Sequence, residues 1–96
     1  MAIHNFDDRE TGCIWKGQRS RELPPDIQNA ARRKLRQINR VRHLHELRVP
    51  RGNRLEELKG KRKGTYSIRI NDQWRICFRW VDGDAHDVRI EDYHRG

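Results

Sequence analysis

Five residues in the second half of the chain have types suited to phosphodiester chemistry: Lys59, Arg75, Asp92, Tyr93 and His94. Asp92 and His94 can exchange protons. Lys59 and Arg75 can hold a phosphate, the first as a mobile point charge and the second through a planar fork. Tyr93 adds a ring and a hydroxyl. Cutting RNA without a metal ion requires a base for the 2′-hydroxyl, cations for the charged phosphorane and an acid for the leaving 5′-oxygen. The five supply candidates for each. In an extended tail Asp92 and His94 point to one side and Tyr93 to the other, because strand side chains alternate. All three line one pocket only if the strand ends and the tail swings Tyr93 inward. Otherwise Tyr93 packs on the sheet edge and His94 lies in solvent.

The whole chain bears on how such groups are used. Its 96 residues make one domain, 1–96, with a single modest core. With 38% charged against 33% apolar residues it stands near the border where chains stop folding alone. Twenty-two Lys and Arg against fourteen Asp and Glu leave a net charge of +8, spread over helix, loop and strand segments. A basic folded surface attracts polyanions and loses them as salt rises, although a plain solvated charge coat has the same composition. Cys13 and Cys77 stand far apart, so neither a disulfide framework nor a clustered metal site is indicated, and reduced thiols are expected. Residues 1–6 lack the start of a secretion signal and no apolar run approaches membrane-spanning length. A cytoplasmic protein without membrane attachment is expected.

Metal and cofactor chemistry finds little support. His43 and His45, two apart on an expected helix, face different directions. The run from Gly60 to Gly64, with Lys61, Arg62 and Lys63, lacks the spacing of a phosphate-cradling loop and reads as a basic turn. His4 and His86 are isolated. No cofactor is expected.

The elements that must position the candidates divide into a helical first half and a strand-rich second half. Ile3 to Phe6 reads as a short strand. Asp7 followed by Glu10 has capping-box spacing, predicting a helix from Asp8 to about Lys16 that stops at Gly17. Ser20 to Pro25 reads as a linker. From Asp26, Ile27, Ala31, Leu35 and Ile38 recur at helical spacing while Arg32, Arg33, Arg36 and Arg40 crowd the other side. Val41, Leu44 and Leu47 extend the pattern with a drift in phase until Pro50 and Gly52 end it.

Beyond Gly64 the period changes to two. Tyr66, Ile68 and Ile70 alternate with polar residues, then Trp74, Ile76, Phe78 and Trp80 do the same. Asn71 to Gln73 forms the turn between them, and Asp82-Gly83 is the favoured two-residue hairpin signal leading to a third strand from Ala85 to about Asp92. An antiparallel meander follows. Its apolar face needs the helices as cover, and its other face gathers Arg69, Arg75 and Arg79 around Cys77 as a cationic floor. The competing arrangement is cross-strand pairing of those arginines with Asp87 and Glu91.

The run from Arg54 to Gly60 (RLEELKG), then GTYSIRIN from Gly64 and QWRICF from Gln73, with the ending Glu91-Asp92-Tyr93-His94, resembles the HigB branch of the RelE-like toxins. The resemblance covers nearly the whole chain. It implies an α/β (α+β) RelE-like compact fold, with N-terminal helices on a small, mainly antiparallel twisted sheet. It also implies a type II toxin that cleaves messenger RNA in the decoding site of a translating ribosome, without a metal. A HigA-like helix-turn-helix antitoxin would neutralise it, and the toxin would meet operator DNA only through that antitoxin. The family's functional residues fall on Lys59, Arg75, Asp92, Tyr93 and His94, with Asp92 as base, His94 as proton donor or relay, and Tyr93 as a stacking or orienting group. Arg69, Arg79, Lys61, Arg62 and Lys63 are candidates for further RNA contact. One position departs, since Glu56 stands where some members carry a catalytic histidine. A carboxylate there cannot act as a cation, so it serves as base or the site is dispensable.

Two rival readings share parts of this pattern. A ParE-like gyrase inhibitor would have the general fold, but has no need for Lys59 and an Asp-Tyr-His ending. A non-catalytic RNA-binding module would use charge alone, and would want exposed aromatics where Trp74, Phe78 and Trp80 belong to the core face.

Overall fold

A computed structural model describes residues 2–62 and 64–93. Helix α1, Arg9–Trp15, begins at Asp8, whose carboxylate accepts the Thr11 N–H at 3.0 Å. The cap therefore sits one residue later than the Asp7/Glu10 spacing predicts. Glu10 instead accepts from the Ser20 hydroxyl at 2.5 Å, and Asp7 accepts from Arg89 at 3.1 Å. Both are tertiary contacts, which local spacing does not encode.

The linker is held by reciprocal bonds between Ser20 and Gln28: the Ser20 N–H donates to Gln28 Oε1 at 3.1 Å, and Gln28 Nε2 donates to the Ser20 carbonyl at 2.9 Å. Helix α2, Pro25–Arg40, opens on a proline whose missing N–H costs nothing in the first turn. It buries the expected stripe of Ile27, Ala31, Leu35 and Ile38. The predicted continuation fails after Arg40. The Glu46 carboxylate accepts the N–H groups of Arg42 at 3.0 Å and His43 at 2.7 Å, starting a separate 3-10 turn at Leu44–Arg48. A second turn, Arg51–Asn53, follows, and the buried Asn53 amide ties it back by donating to Gln37 Oε1 at 3.0 Å and the Leu47 carbonyl at 3.1 Å.

Four antiparallel strands lie in chain order: β1 (Glu56–Glu57), β2 (Thr65–Arg69), β3 (Trp74–Val81) and β4 (Asp84–Asp92). The meander is as predicted, with β1 added at its edge. The expected first strand reduces to two isolated parallel bridges, Ile3 to Ala85 and Phe6 to Val88. Asp82 and Gly83 both have positive φ, 51° and 84°, which matches the twist a two-residue hairpin demands. Ile68, Ile76, Phe78, Val88 and Ile90 form the sheet side of a core that α1 and α2 close with Ile14, Ala31 and Leu35. Helices on one face of a small antiparallel sheet are the α+β arrangement that the sequence implies.

Register fixes the opposite face. Glu56 pairs with Ser67, Ser67 with Cys77 and Cys77 with Arg89, giving one row across all four strands. Arg69, Arg75 and Glu91 form the next.

Candidate active site

Arg75 occupies this polar face near the start of β3 and is only 6% exposed. Its Nε donates to Ser67 Oγ at 2.8 Å, and its Nη2 donates to the Arg54 carbonyl at 2.6 Å and the Ser67 carbonyl at 3.3 Å. The Arg54 carbonyl is aimed by a left-handed backbone (φ 44°, ψ 55°) at the end of the Arg51–Asn53 turn. All three acceptors are neutral. They fix the fork without cancelling its charge, and the Glu56 carboxylate lies 3.8 Å from Nη2.

Strand β4 remains paired through Asp92 and the chain turns at Tyr93, whose N–H donates to the Gln73 carbonyl at 2.6 Å. That turn brings the Tyr93 ring over Arg75, with its centroid 5.0 Å from Cζ. The Tyr93 hydroxyl donates to Glu56 Oε1 at 2.5 Å. This hydrogen bond holds the phenol above its ordinary pKa, because the carboxylate stabilises the protonated form. Glu56, Arg75 and Tyr93 thus form one connected group at the meeting of β1, β3 and the end of β4.

The other candidates are placed differently. Asp92 pairs with Trp74, whereas Glu91 pairs with Arg75, so alternation turns the Asp92 side chain away from the arginine face. Its carboxylate accepts from Gln73 Nε2 at 3.0 Å. The expected convergence of Asp92 on Arg75 is replaced by that of Glu56, because β4 stays paired through Asp92 in a register that sets it opposite Trp74. Exposed Lys59 lines a separate shallow cleft with Glu57, Leu58 and Gly60. His94 and Lys63 lie outside the described residues, as does the side chain of Lys61.

The expected cationic floor is divided into ion pairs. Arg69 pairs with Asp72, Arg79 with Asp87 at 2.7 Å, and Arg62 with Glu91 at 2.5 Å. Asp87 reaches Arg79 from a left-handed residue (φ 53°) where the β3–β4 register shifts. The competing reading of the sequence thus describes Arg79, and Glu91 serves Arg62. Arg75 differs in having uncharged hydrogen-bond acceptors, with the Glu56 carboxylate farther off at 3.8 Å. Cys77, beside it, is buried, and burial pushes its thiol up to about 12, followed by the effect of Glu91.

Histidine placement also departs from expectation. The imidazoles of His43 and His45 stack 5.7 Å apart at 14°, because the N-cap and first turn of a 3-10 segment replace the helix. His4 and His86, isolated in sequence, meet at 4.5 Å across the Ile3 bridge to β4. Reasoning on the sequence misses Ser67 and Arg54. Ser67 carries a signal, its place opposite Cys77 on the arginine face, but a backbone carbonyl such as that of Arg54 leaves none.

The profile of a family described as the RelE-like toxin of type II toxin–antitoxin system HigB matches residues 5–94. The chain belongs to this HigB-like family. Toxin HigB-1 of Vibrio cholerae serotype O1 is 43% identical over 74 residues, covering 77% of this chain and 78% of that protein. Endoribonuclease HigB of Proteus vulgaris is 46% identical over 41 residues, 43% of this chain and 45% of that one. An uncharacterized protein of Haemophilus influenzae is 27% identical over 88 residues, 92% of this chain and 87% of the other. In this HigB-like toxin the matched span contains Glu56, Ser67, Arg75 and Tyr93, the whole of the connected group.

Proposed function

We propose that this HigB-like toxin is an endoribonuclease that cuts messenger RNA in the decoding site of a translating ribosome and so stops translation. The observation that carries the reading is Arg75, a buried cation held by neutral acceptors beneath a tyrosine that is bonded to a carboxylate. Arg75 grips the scissile phosphate and stabilises the charge that develops on it. Glu56 accepts the 2′-hydroxyl proton. Tyr93 occupies one carboxylate oxygen and leaves the other for that role. The 2′-oxygen then attacks phosphorus, the bond to the 5′-oxygen breaks, and a 2′,3′-cyclic phosphate forms. His94 protonates the leaving oxygen, and Lys59, two residues beyond the edge strand, supplies a second phosphate contact. Asp92 and Gln73 fix the turn that delivers Tyr93.

In this mechanism Arg75 and Lys59 provide the positive charge, so cleavage proceeds without a metal ion. Membership of a type II toxin–antitoxin family implies an antitoxin partner, and we assign that role to a HigA-like protein with an acidic face for this +8 chain. Binding to the folded toxin raises its melting temperature by mass action. Among the described residues no helix is long and apolar enough to cross a membrane. A toxin acting on translating ribosomes works in the cytoplasm.

Primer extension on a message translated with added protein tests the reading. Discrete breaks at in-frame codons, retained in the presence of a chelator, are expected. An intact message at protein levels that stop growth overturns it.

A further inference from the structure

A cleft of about 650 Å3 adjoins the Arg75 group, and apart from Glu56 its lining has no part in the mechanism above. Arg42, His43, His45 and Arg48 line one part of it, and Tyr66 and Trp80 another. Glu56 lines it as well, so the carboxylate bonded to Tyr93 is shared between cleft and candidate active site.

The lining has two chemical halves. Arg42 and Arg48 are exposed, and among the described residues no ion pair engages either one. Glu46 lies between them, but its carboxylate is committed to the Arg42 and His43 N–H groups. The facing carboxylates are engaged too, Glu56 by Tyr93 and Glu57 by the Gly64 N–H at 3.3 Å. Beside the guanidinium groups stand flat surfaces: the stacked imidazoles of His43 and His45, the Tyr66 ring, and a half-buried Trp80 that packs edge-on against Phe78 at 6.3 Å. Trp80 is therefore not enclosed in the core, contrary to its place in the alternating pattern.

Guanidinium groups interleaved with ring surfaces are the means by which proteins hold unpaired nucleotides, with phosphates on the cations and bases against the rings. The volume lies within the range of about 300–1,000 Å3 that suits small ligands of nucleotide size. We infer that this cleft seats the nucleotide next to the scissile phosphate of a single-stranded RNA, its phosphate on Arg42 and Arg48 and its base among His43, His45, Tyr66 and Trp80. The inference rests on the endoribonuclease reading for the identity of the strand, and it makes the cleft the place where the RNA leaves or enters the cutting site.

A short RNA oligonucleotide, blocked by 2′-deoxy substitution and carrying 4-thiouridine at each position in turn, is cross-linked to the full chain and the adducts are mapped by mass spectrometry. Adducts on the cleft rings are expected. Arg42→Glu with Arg48→Glu should weaken binding about tenfold, more than the same charge change at exposed Arg19 and Arg21. Both pairs lie on the surface, and circular dichroism confirms that each folds. Equal losses from the two pairs, or adducts confined to the Arg75 and Tyr93 region, overturn the cleft while leaving the endoribonuclease reading intact. Retained RNA binding with loss of antitoxin binding overturns it in favour of a partner surface. Cleft adducts in a protein that leaves translated messages whole sustain the cleft and sink the catalytic reading.

Discussion

Tyr93 lies across the Arg75 guanidinium, ring centroid 5.0 Å from Cζ, while its hydroxyl donates to Glu56 at 2.5 Å. The first residue beyond β4 thus shields the face of a cation on β3 and anchors itself to the edge strand. A cation covered on one side, anchored by neutral acceptors and paired only with the Glu56 carboxylate at 3.8 Å among the described residues keeps charge for a second anion. A phosphate group supplies one.

Arg75→Ala should lower the cleavage rate on translated message by ~100-fold or more, since an oriented donor to the reacting phosphate is lost. Arg75→Lys should recover little, because an ammonium cannot bond Ser67 and the Arg54 carbonyl while presenting a fork. Truncation also strands buried acceptors, at a cost of about 1–3 kcal/mol, so melts must accompany the kinetics. Near-normal cleavage by folded Arg75→Ala would remove the residue from the mechanism.

The Tyr93 phenol makes a claim about alkaline pH. Its folded-state pKa is raised by the Glu56 hydrogen bond, so the stabilisation is fully present below the ordinary tyrosine value of about 10. It is lost as pH climbs through the higher folded value. Ultraviolet titration should show one tyrosinate forming late, assigned to Tyr93 by its disappearance in Tyr93→Phe. Glu56→Gln should bring that titration down and reduce cleavage by ~100-fold. A phenol indifferent to Glu56→Gln would refute the pairing, and normal cleavage by that variant would refute Glu56 as base.

Much of this arrangement can be read from residue types and spacing. Alternation from Tyr66 to Trp80 and the Asp82-Gly83 signal specify the meander, because a two-residue period admits one buried face. The apolar stripe of α2 specifies its docking side. What stays hidden depends on how elements meet. Whether Asp92 or Glu56 approaches Arg75 turns on the cross-strand register, which sets Glu91 rather than Asp92 opposite Arg75, and on the edge strand β1, which alternation does not announce. The Arg54 carbonyl and the Asp8 cap in place of the Asp7/Glu10 box are likewise settled by tertiary contacts.

Cys77 sits among charged groups yet should be inert. Burial pushes its thiol up to about 12, so almost no thiolate exists near neutrality. The sign matters for stability as well: a thiol raised in the folded state stabilises fully below its unfolded value of about 9, and that contribution fades as pH rises toward 12. Alkylation of the native protein at neutral pH, followed by peptide mapping, should label half-buried Cys13 and spare Cys77. Labelling of Cys77 at the rate found in denaturant would contradict its burial.

Ser67 offers the sharpest separation of positioning from folding. Its hydroxyl accepts the Arg75 Nε at 2.8 Å and its carbonyl receives Nη2 at 3.3 Å, so Ser67→Ala removes one anchor and keeps the other. The fork should then swing about the remaining Arg54 and Ser67 carbonyls, and cleavage should fall about tenfold, as misorientation of an electrostatic group predicts. A purely structural role predicts the same loss whatever residue stands at position 75. Positioning predicts non-additivity, so Ser67→Ala introduced into Arg75→Ala should cost almost nothing more in rate, even where melts show each variant folded. Additive losses across that double-mutant cycle would assign Ser67 to the fold alone.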